Sequence, residues 1–331
     1  LVINEIRQKK VLFVTGHSER DVLDITESTS IGLAARALNR ENYIVLVETL
    51  QELATRLAIG DPLEVPALLV FANPTQELLP IDQNALLDYA RSGGSVMFLL
   101  EPDNTPDTFK QFLSRYGVAV GDGEAADRAS YVGGNETFIQ VKKSNQQLPP
   151  HPITDDFEVL YMPGVSHFGW TIDPATVPLV DDITPVVKQA MLASTTLYSW
   201  SETDPDFIGF DQGVDVGGPL PIAVAVEAIG ELAGGTYSDG ESTISMNMVL
   251  IGDTDFATNN YFGSANNADL FINSVNFLAK DVELISIRAK TEADRQMFLT
   301  KNERDFVRWS GWLLMPVLVS IFGFWTWWRR R

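Results

Sequence analysis

The chain has no cysteine. That excludes structural disulfides, a thiol nucleophile and cysteine-ligated zinc or iron–sulfur centres. It also fits a compartment where stray thiols would oxidise, without identifying one. Cationic residues are scarce as well. Lys and Arg number 24 against 44 Asp and Glu, for a formal net charge of −20 over 331 residues. A nucleic-acid partner requires clustered cations to neutralise phosphates, so none is expected, and broad adhesion to anionic lipid is disfavoured on the same ground. The pattern G-x-x-x-x-G-K-[ST] is missing, so ATP hydrolysis by a P-loop is excluded. No repeat of fixed period occurs. What remains is 45% hydrophobic and 21% charged, the balance of a folded protein of one large or two ordinary domains.

One uncharged apolar run stands out, from Trp309 to Trp328. About twenty such residues span a bilayer core of roughly 30 Å. Trp309 and Trp312 flank one end and Trp325, Trp327 and Trp328 the other, matching the preference of tryptophan for both membrane–water interfaces. Arg329, Arg330 and Arg331 follow and favour the cytoplasmic side. The expectation is a single C-terminal anchor with the main body outside the cytoplasm. The chain opens Leu1-Val2-Ile3-Asn4, with neither Met nor a signal peptide. An exported body therefore predicts a longer protein whose export segment precedes Leu1.

Along the chain, apolar runs at 11–17, 43–50, 67–72 and 95–100 read as buried strands. Helical spacing follows from about Ser30, from Asp82 (read as an N-cap) to Gly93-Gly94, and from Thr105 or Asp107 to Gly117. Such alternation predicts an α/β fold, a mostly parallel sheet with helices on both faces. Beyond Gly121 the sequence turns rich in Gly, Asn, Gln and Pro. Strands are expected there at 137–141, 186–187, 222–226, 243–252 and 284–288, with a helix at 269–278. The resulting division is 1–145, an α/β part; 146–288, a loop-rich second α/β part completing the sheet; 289–308, a juxtamembrane connector; 309–328, the membrane helix; and 329–331, a basic cytoplasmic tail.

Several motifs resemble one family in order and spacing. They are T-G-H-S-E at 15–19, H-P-I-T at 151–154, I-G-D-T-D-F at 251–256, N-A-D-L-F-I-N-S-V-N-F-L-A at 267–279 and L-I-S-I-R at 284–288, ahead of the Pro-containing apolar tail. Together they resemble the GldG-like auxiliary components of gliding-motility-type ABC transport systems in bacteria. The resemblance implies a glutamine amidotransferase-like, flavodoxin-like architecture without established catalysis. It also implies partnership with an ABC permease and a separate ABC ATPase, and a membrane helix ahead of the body.

In a parallel sheet, ligands sit beyond the carboxyl ends of the strands. The polar residues expected there are His17 and Glu19 after the first strand, Asn73 after the third, Glu101 after the fourth, and Asp253 with Asp255 after the late strand. Converging, they would bind a polar ligand or a metal; the plainer account is that they cap helices and tie loops, and no cofactor or metal is assigned. Gly164-Val165-Ser166-His167-Phe168 falls short of the G-x-S-x-G nucleophile elbow and lies among prolines. Gly121-Asp122-Gly123-Glu124-Ala125-Ala126 imitates a dinucleotide fingerprint, but its carboxylates would repel a pyrophosphate. Asp253-Thr254-Asp255 begins like a calcium loop and lacks its glycine. The acidic stretch Glu202–Asp215 reads as a solvated loop rather than a calcium site, and His151 and His167 as structural histidines.

These readings favour a non-enzymatic, membrane-anchored subunit on the extracytoplasmic side of the bacterial cytoplasmic membrane. It would contact the permease and ATPase, membrane lipid, and an envelope polysaccharide or peptidoglycan. The alternatives are a tethered hydrolase or glycan-processing enzyme using His17, Glu19, Glu101 and the Asp253 region, and a glycan-binding module presenting Trp170, Tyr198 and Trp200.

Overall fold

The computed structural model describes residues 8–59, 64–172, 187–204, 206–229, 245–280, 309–310, 325 and 327–330. Its centre is a seven-stranded sheet. In chain order the strands are β1 (Lys10–Val14), β2 (Ile44–Glu48), β3 (Leu68–Ala72), β4 (Ser95–Leu99), β11 (Val187–Ser194), β13 (Pro221–Ile229) and β14 (Ser245–Ile251). They lie side by side as β11-β13-β14-β4-β3-β1-β2, and β13 alone runs against the rest. The five strands from β2 to β14 follow the 2-1-3-4-5 order of doubly wound sheets, which reverses direction between β1 and β3.

Alternation along the strands builds two cores. Val11 and Phe13 of β1 face one side and Leu12 and Val14 the other. The first side is covered by α1 (Gly32–Arg40) and α5 (Asn267–Leu278), and the second by α2 (Leu50–Ile59), α3 (Pro80–Arg91) and α4 (Asp107–Arg115). Every residue of β3 and β4 is buried, as central strands require. On the second side Phe71 stacks on Phe98 at 5.0 Å, with Phe109 edge-on to both. Burying one such ring is worth about 2 kcal/mol, and each aromatic pair adds about 1 kcal/mol.

Helix α2 was absent from the sequence expectations, although its signal is present. Thr49 Oγ1 accepts the Glu52 N–H at 3.2 Å while Glu52 Oε2 accepts the Thr49 N–H at 2.7 Å, a reciprocal capping box. Asp82 is not the cap of α3. Pro80 opens that helix after an extended Leu79, as a proline free of an N–H obligation does, and Asp82 falls in the first turn with its side chain turned inward. Helix α1 has no local side-chain cap; Asn259, far along the chain, accepts the Leu33 N–H at 2.8 Å instead.

The expected strand at 137–141 lies within β8 (Asn135–Lys142), and the second half adds strands that were not expected: β5 (Val118–Val120), β6 (Glu124–Asp127), β7 (Tyr131–Val132), β9 (Val159–Pro163), β10 (Phe168–Trp170) and β12 (Ser199–Glu202). They form β10-β5, β12-β6 and β7-β8-β9 sheets, and the last packs on the α1/α5 side. Their sequences hide them because several bury polar groups. Ser199, Ser201 and Glu202 of β12 and Asp127 of β6 are all buried and hydrogen-bonded. The expected strand at 284–288, the connector at 289–308, and 311–324 of the apolar tail, with Trp312 and Arg331, lie outside the described residues. Among the described residues no helix is long and apolar enough to cross a membrane. Trp309, Trp325, Trp327 and Trp328 are exposed, and the Arg329 guanidinium lies 5.6 Å over the Trp325 ring.

Candidate functional site

The carboxyl ends of β1, β3, β4 and β14 lie at one edge of the sheet. Backbone bonds knit the segments leaving them: Arg20 N–H to the Ala72 carbonyl at 2.9 Å, Asn73 N–H to Leu99 at 2.8 Å, Leu100 N–H to Ile251 at 2.9 Å. Two side-chain clusters sit on this frame, and no hydrogen bond or ion pair among the described residues joins them.

The first surrounds His17. Gly16 leaves β1 at φ +114°, a conformation that side chains rarely adopt, and swings His17 inward. Its Nδ1 lies 3.2 Å from Glu19 Oε1 and its Nε2 3.5 Å from Asp82 Oδ2, with all three side chains at most 7% exposed. Glu19 Oε2 also accepts the His17 N–H at 2.8 Å, and the His17 carbonyl accepts N–H groups from Thr75 and Gln76. Burial opposes the charged imidazole, but Glu19 and Asp82 outweigh it and raise the His17 pKa.

The second cluster holds Glu101, Asp253 and Asp255 with Arg20. The Arg20 guanidinium donates to Asp255 Oδ1 at 2.8 Å and lies 3.7 Å from Glu101. Glu101 Oε1 accepts the Thr254 N–H at 3.0 Å. Asp253 is wholly buried; one oxygen accepts the Phe256 N–H at 3.3 Å and the other has no partner. Burial, and then Asp255, push the Glu101 carboxyl up to about 8. Burial first, then Glu101 and Asp255, raise Asp253 well above the usual carboxylate range. Burial and mutual repulsion here favour the protonated form of these carboxyls. Gly252 is required beside it, because a Cβ there would come within 2.1 Å of the Ser166 carbonyl.

Of the six predicted ligand-binding residues, His17 and Glu19 meet in one cluster and Glu101, Asp253 and Asp255 in the other. Asn73 contributes a left-handed turn at φ 55° where β3 ends. Arg20 and Asp82 were missed as members. Arg20 follows the T-G-H-S-E motif directly, which was the available signal. Among the described residues no group of three or more His, Asp or Glu side chains is arranged to hold a metal. Ser166 lies between β9 and β10, a strand-to-strand link that offers no nucleophile elbow. His151 accepts the Ile153 N–H and packs edge-on against Phe277, closing the H-P-I-T turn. The His167 ring fills the space a side chain at Gly121 would need.

A family model described as "ABC-type uncharacterized transport system" matches residues 8–280. The chain belongs to this family of ABC transport auxiliary proteins. The match runs from the start of β1 to the end of α5 and takes in both clusters, so this family member is an auxiliary component of an ABC-type transport system. Comparison with curated proteins gave no match. A solved structure titled "mmIFT52 N-terminal domain" is similar with a TM-score of 0.54 at 13% identity, over 81% of this chain and 97% of that one. At that identity the likeness is one of fold.

Proposed function

We propose that this family member is a non-catalytic subunit that works by contact. It is anchored through 309–328 in the bacterial cytoplasmic membrane with its body on the extracytoplasmic side. There it engages an ABC permease and, through it, a separate ATPase, as part of a gliding-motility-like or export complex. The observation that supports this most is how the sheet-edge residues are used. Both His17 ring nitrogens point at carboxylates, and Arg20 is committed to Asp255 and Glu101. His17 and Arg20, paired in this way, hold loops together and are poorly placed to attack a substrate. Tagged full-length protein extracted in mild detergent is expected to bring down a permease and an ATPase. A clean monomer across several detergents would overturn the proposal.

One observation favours a second reading, a tethered hydrolase or glycan-processing enzyme. Burial and Asp255 push the Glu101 carboxyl up to about 8 beside other carboxylates, the direction of shift a glycoside-hydrolysing acid needs. Incubation with peptidoglycan or envelope polysaccharide decides it: new reducing ends that vanish in Glu101→Gln would establish the enzyme, and their absence would remove it.

A further inference from the structure

Away from the sheet edge, residues 197–204 and 206–218 present an apolar face unusual for so acidic a chain. Leu197, Tyr198, Phe207, Phe210, Val214 and Val216 are all exposed, Leu197 at 74% and Tyr198 at 71%. Scattered exposed hydrophobes are ordinary, but seven within twenty residues, counting Ile208, are a concentration. A groove of about 470 Å³ opens in it, lined by Leu197, Tyr198, Trp200, Phe210, Gly217 and Gly218. Arg128 closes one side, its guanidinium 4.7 Å over the Trp200 ring and 3.5 Å from Glu136.

The patch is held in shape from beneath. Buried Glu202 accepts hydrogen bonds from Trp200 Nε1 at 2.9 Å, Asp204 N–H at 2.9 Å and Gly209 N–H at 2.7 Å. Burial works against its charge, yet these donors keep the carboxyl below its ordinary range. Further bonds from Ser201 N–H to the Val216 carbonyl and from Gly218 N–H to Ser199 return the loop to β12. A surface already ordered loses little entropy on binding.

Its chemistry selects among occupants. The groove offers few free polar groups: Arg128 is engaged as above, and Ser199 Oγ is bonded to Thr195 and Thr196. A hydroxyl-rich sugar seated in the groove would find little to bond among its lining residues. Asp211 directly follows Phe210 of the groove lining, and Asp215 accepts its N–H at 2.7 Å; with Asp204 and Asp206 of the same loop they are in no ion pair among the described residues. Those carboxylates would be repelled by anionic headgroups, whereas they complement Lys or Arg. We propose that this face docks a protein segment that is apolar along one side and basic at its flanks, seating a large side chain between Tyr198 and Phe210. The inference rests on the contact-based reading above only in supposing a protein partner.

The test uses the full chain in discs of zwitterionic lipid, with empty discs as blank. Binding is read by anisotropy of two labelled amphipathic peptides, one of leucine and lysine and one of leucine and glutamate. The lysine peptide is expected to bind at least about tenfold more tightly than the glutamate peptide, with affinity falling as salt rises. Tyr198→Ser/Phe210→Ser should weaken it by about tenfold, the loss expected of an anchoring pocket. Asp204→Asn/Asp211→Asn should weaken it about threefold at low salt, while Asp88→Asn/Asp122→Asn, equal in charge and elsewhere on the surface, should not. Groove variants that bind like the parent, an equal response to the control pair, or equal binding of both peptides would each overturn the proposal. If permease and ATPase co-purify but the peptides ignore the groove, this surface is wrong and the contact reading stands. If the peptides bind as expected and nothing co-purifies, the reverse holds.

Discussion

Glu101 carries a conflict that a single atom can resolve. Its carboxyl is pushed up to about 8, first by burial and then by Asp255, against the opposing pull of Thr254 N–H and Arg20. The native state therefore holds a proton at pH values where the unfolded chain, with an ordinary carboxyl near 4.5, has lost it. Stability from this group falls as pH rises from 4.5 through about 8, and Asp253, shifted the same way, adds to the fall. Glu101→Gln keeps the acceptor for Thr254 and removes the ionisation. In urea titrations the variant should match the parent near pH 5 and exceed it by about 1 kcal/mol or more at pH 8.5, since one pKa unit is worth about 1.4 kcal/mol. A difference that does not change with pH would refute the assignment. The acidic members of this cluster were legible because each follows an apolar strand. Arg20 adjoins the T-G-H-S-E motif, but its partner Asp255 lies 235 residues along the chain, and only the fold brings the two together. Asp82 was misjudged because an acid near a helix start usually caps it, and here Pro80 had already fixed where the helix begins.

Between elements, His17 joins the loop after β1 to α3 through Asp82, and to its own loop through Glu19. Removing it would leave two buried carboxylates without their cation, a loss of about 3 kcal/mol. The sign with pH is opposite in origin to that of Glu101. A histidine whose folded pKa is raised gives its full stabilisation below the ordinary 6.5, and that contribution fades as pH climbs through the raised value. His17→Ala should therefore cost more at pH 6 than at pH 9, measured by urea midpoint, and a cost that grows with pH would count against the lock. Elements with a continuous apolar run, β1, β3, β4 and β14, could be read from sequence because burial on both faces leaves one signature. Helix α2 has a readable signal in Thr49 and Glu52, but the apolar run of β2 continues to Leu50, the first residue of the helix, and masks where the strand stops. β12 and β6 were beyond reading: S-W-S-E and E-A-A-D have no apolar period, and their burial is compensated by partners up to seventy residues away, as when Asp127 accepts the Thr196 N–H.

At the scale of the whole molecule, both cores and the seven central strands lie, among the described residues, between Lys10 and Ala279, and the apolar run 309–328 comes after them in the sequence. A tail that serves as an anchor and not as a core helix can be removed without touching either core. A chain ending at Arg308 is then expected to be soluble without detergent and to unfold cooperatively within a few degrees of the full chain. For a body of this size a shift of 1 kcal/mol moves Tm by only about 2–4 °C. The full chain should float with liposomes, and the shortened one should stay at the bottom of the gradient. The charge argument sharpens the contrast, because a body with a surplus of carboxylates has no electrostatic hold on anionic lipid, so flotation must come from the tail. Loss of cooperative unfolding on shortening would mean that the tail packs inside the body, and with that the anchor, the outward-facing placement and the contact role would fall together.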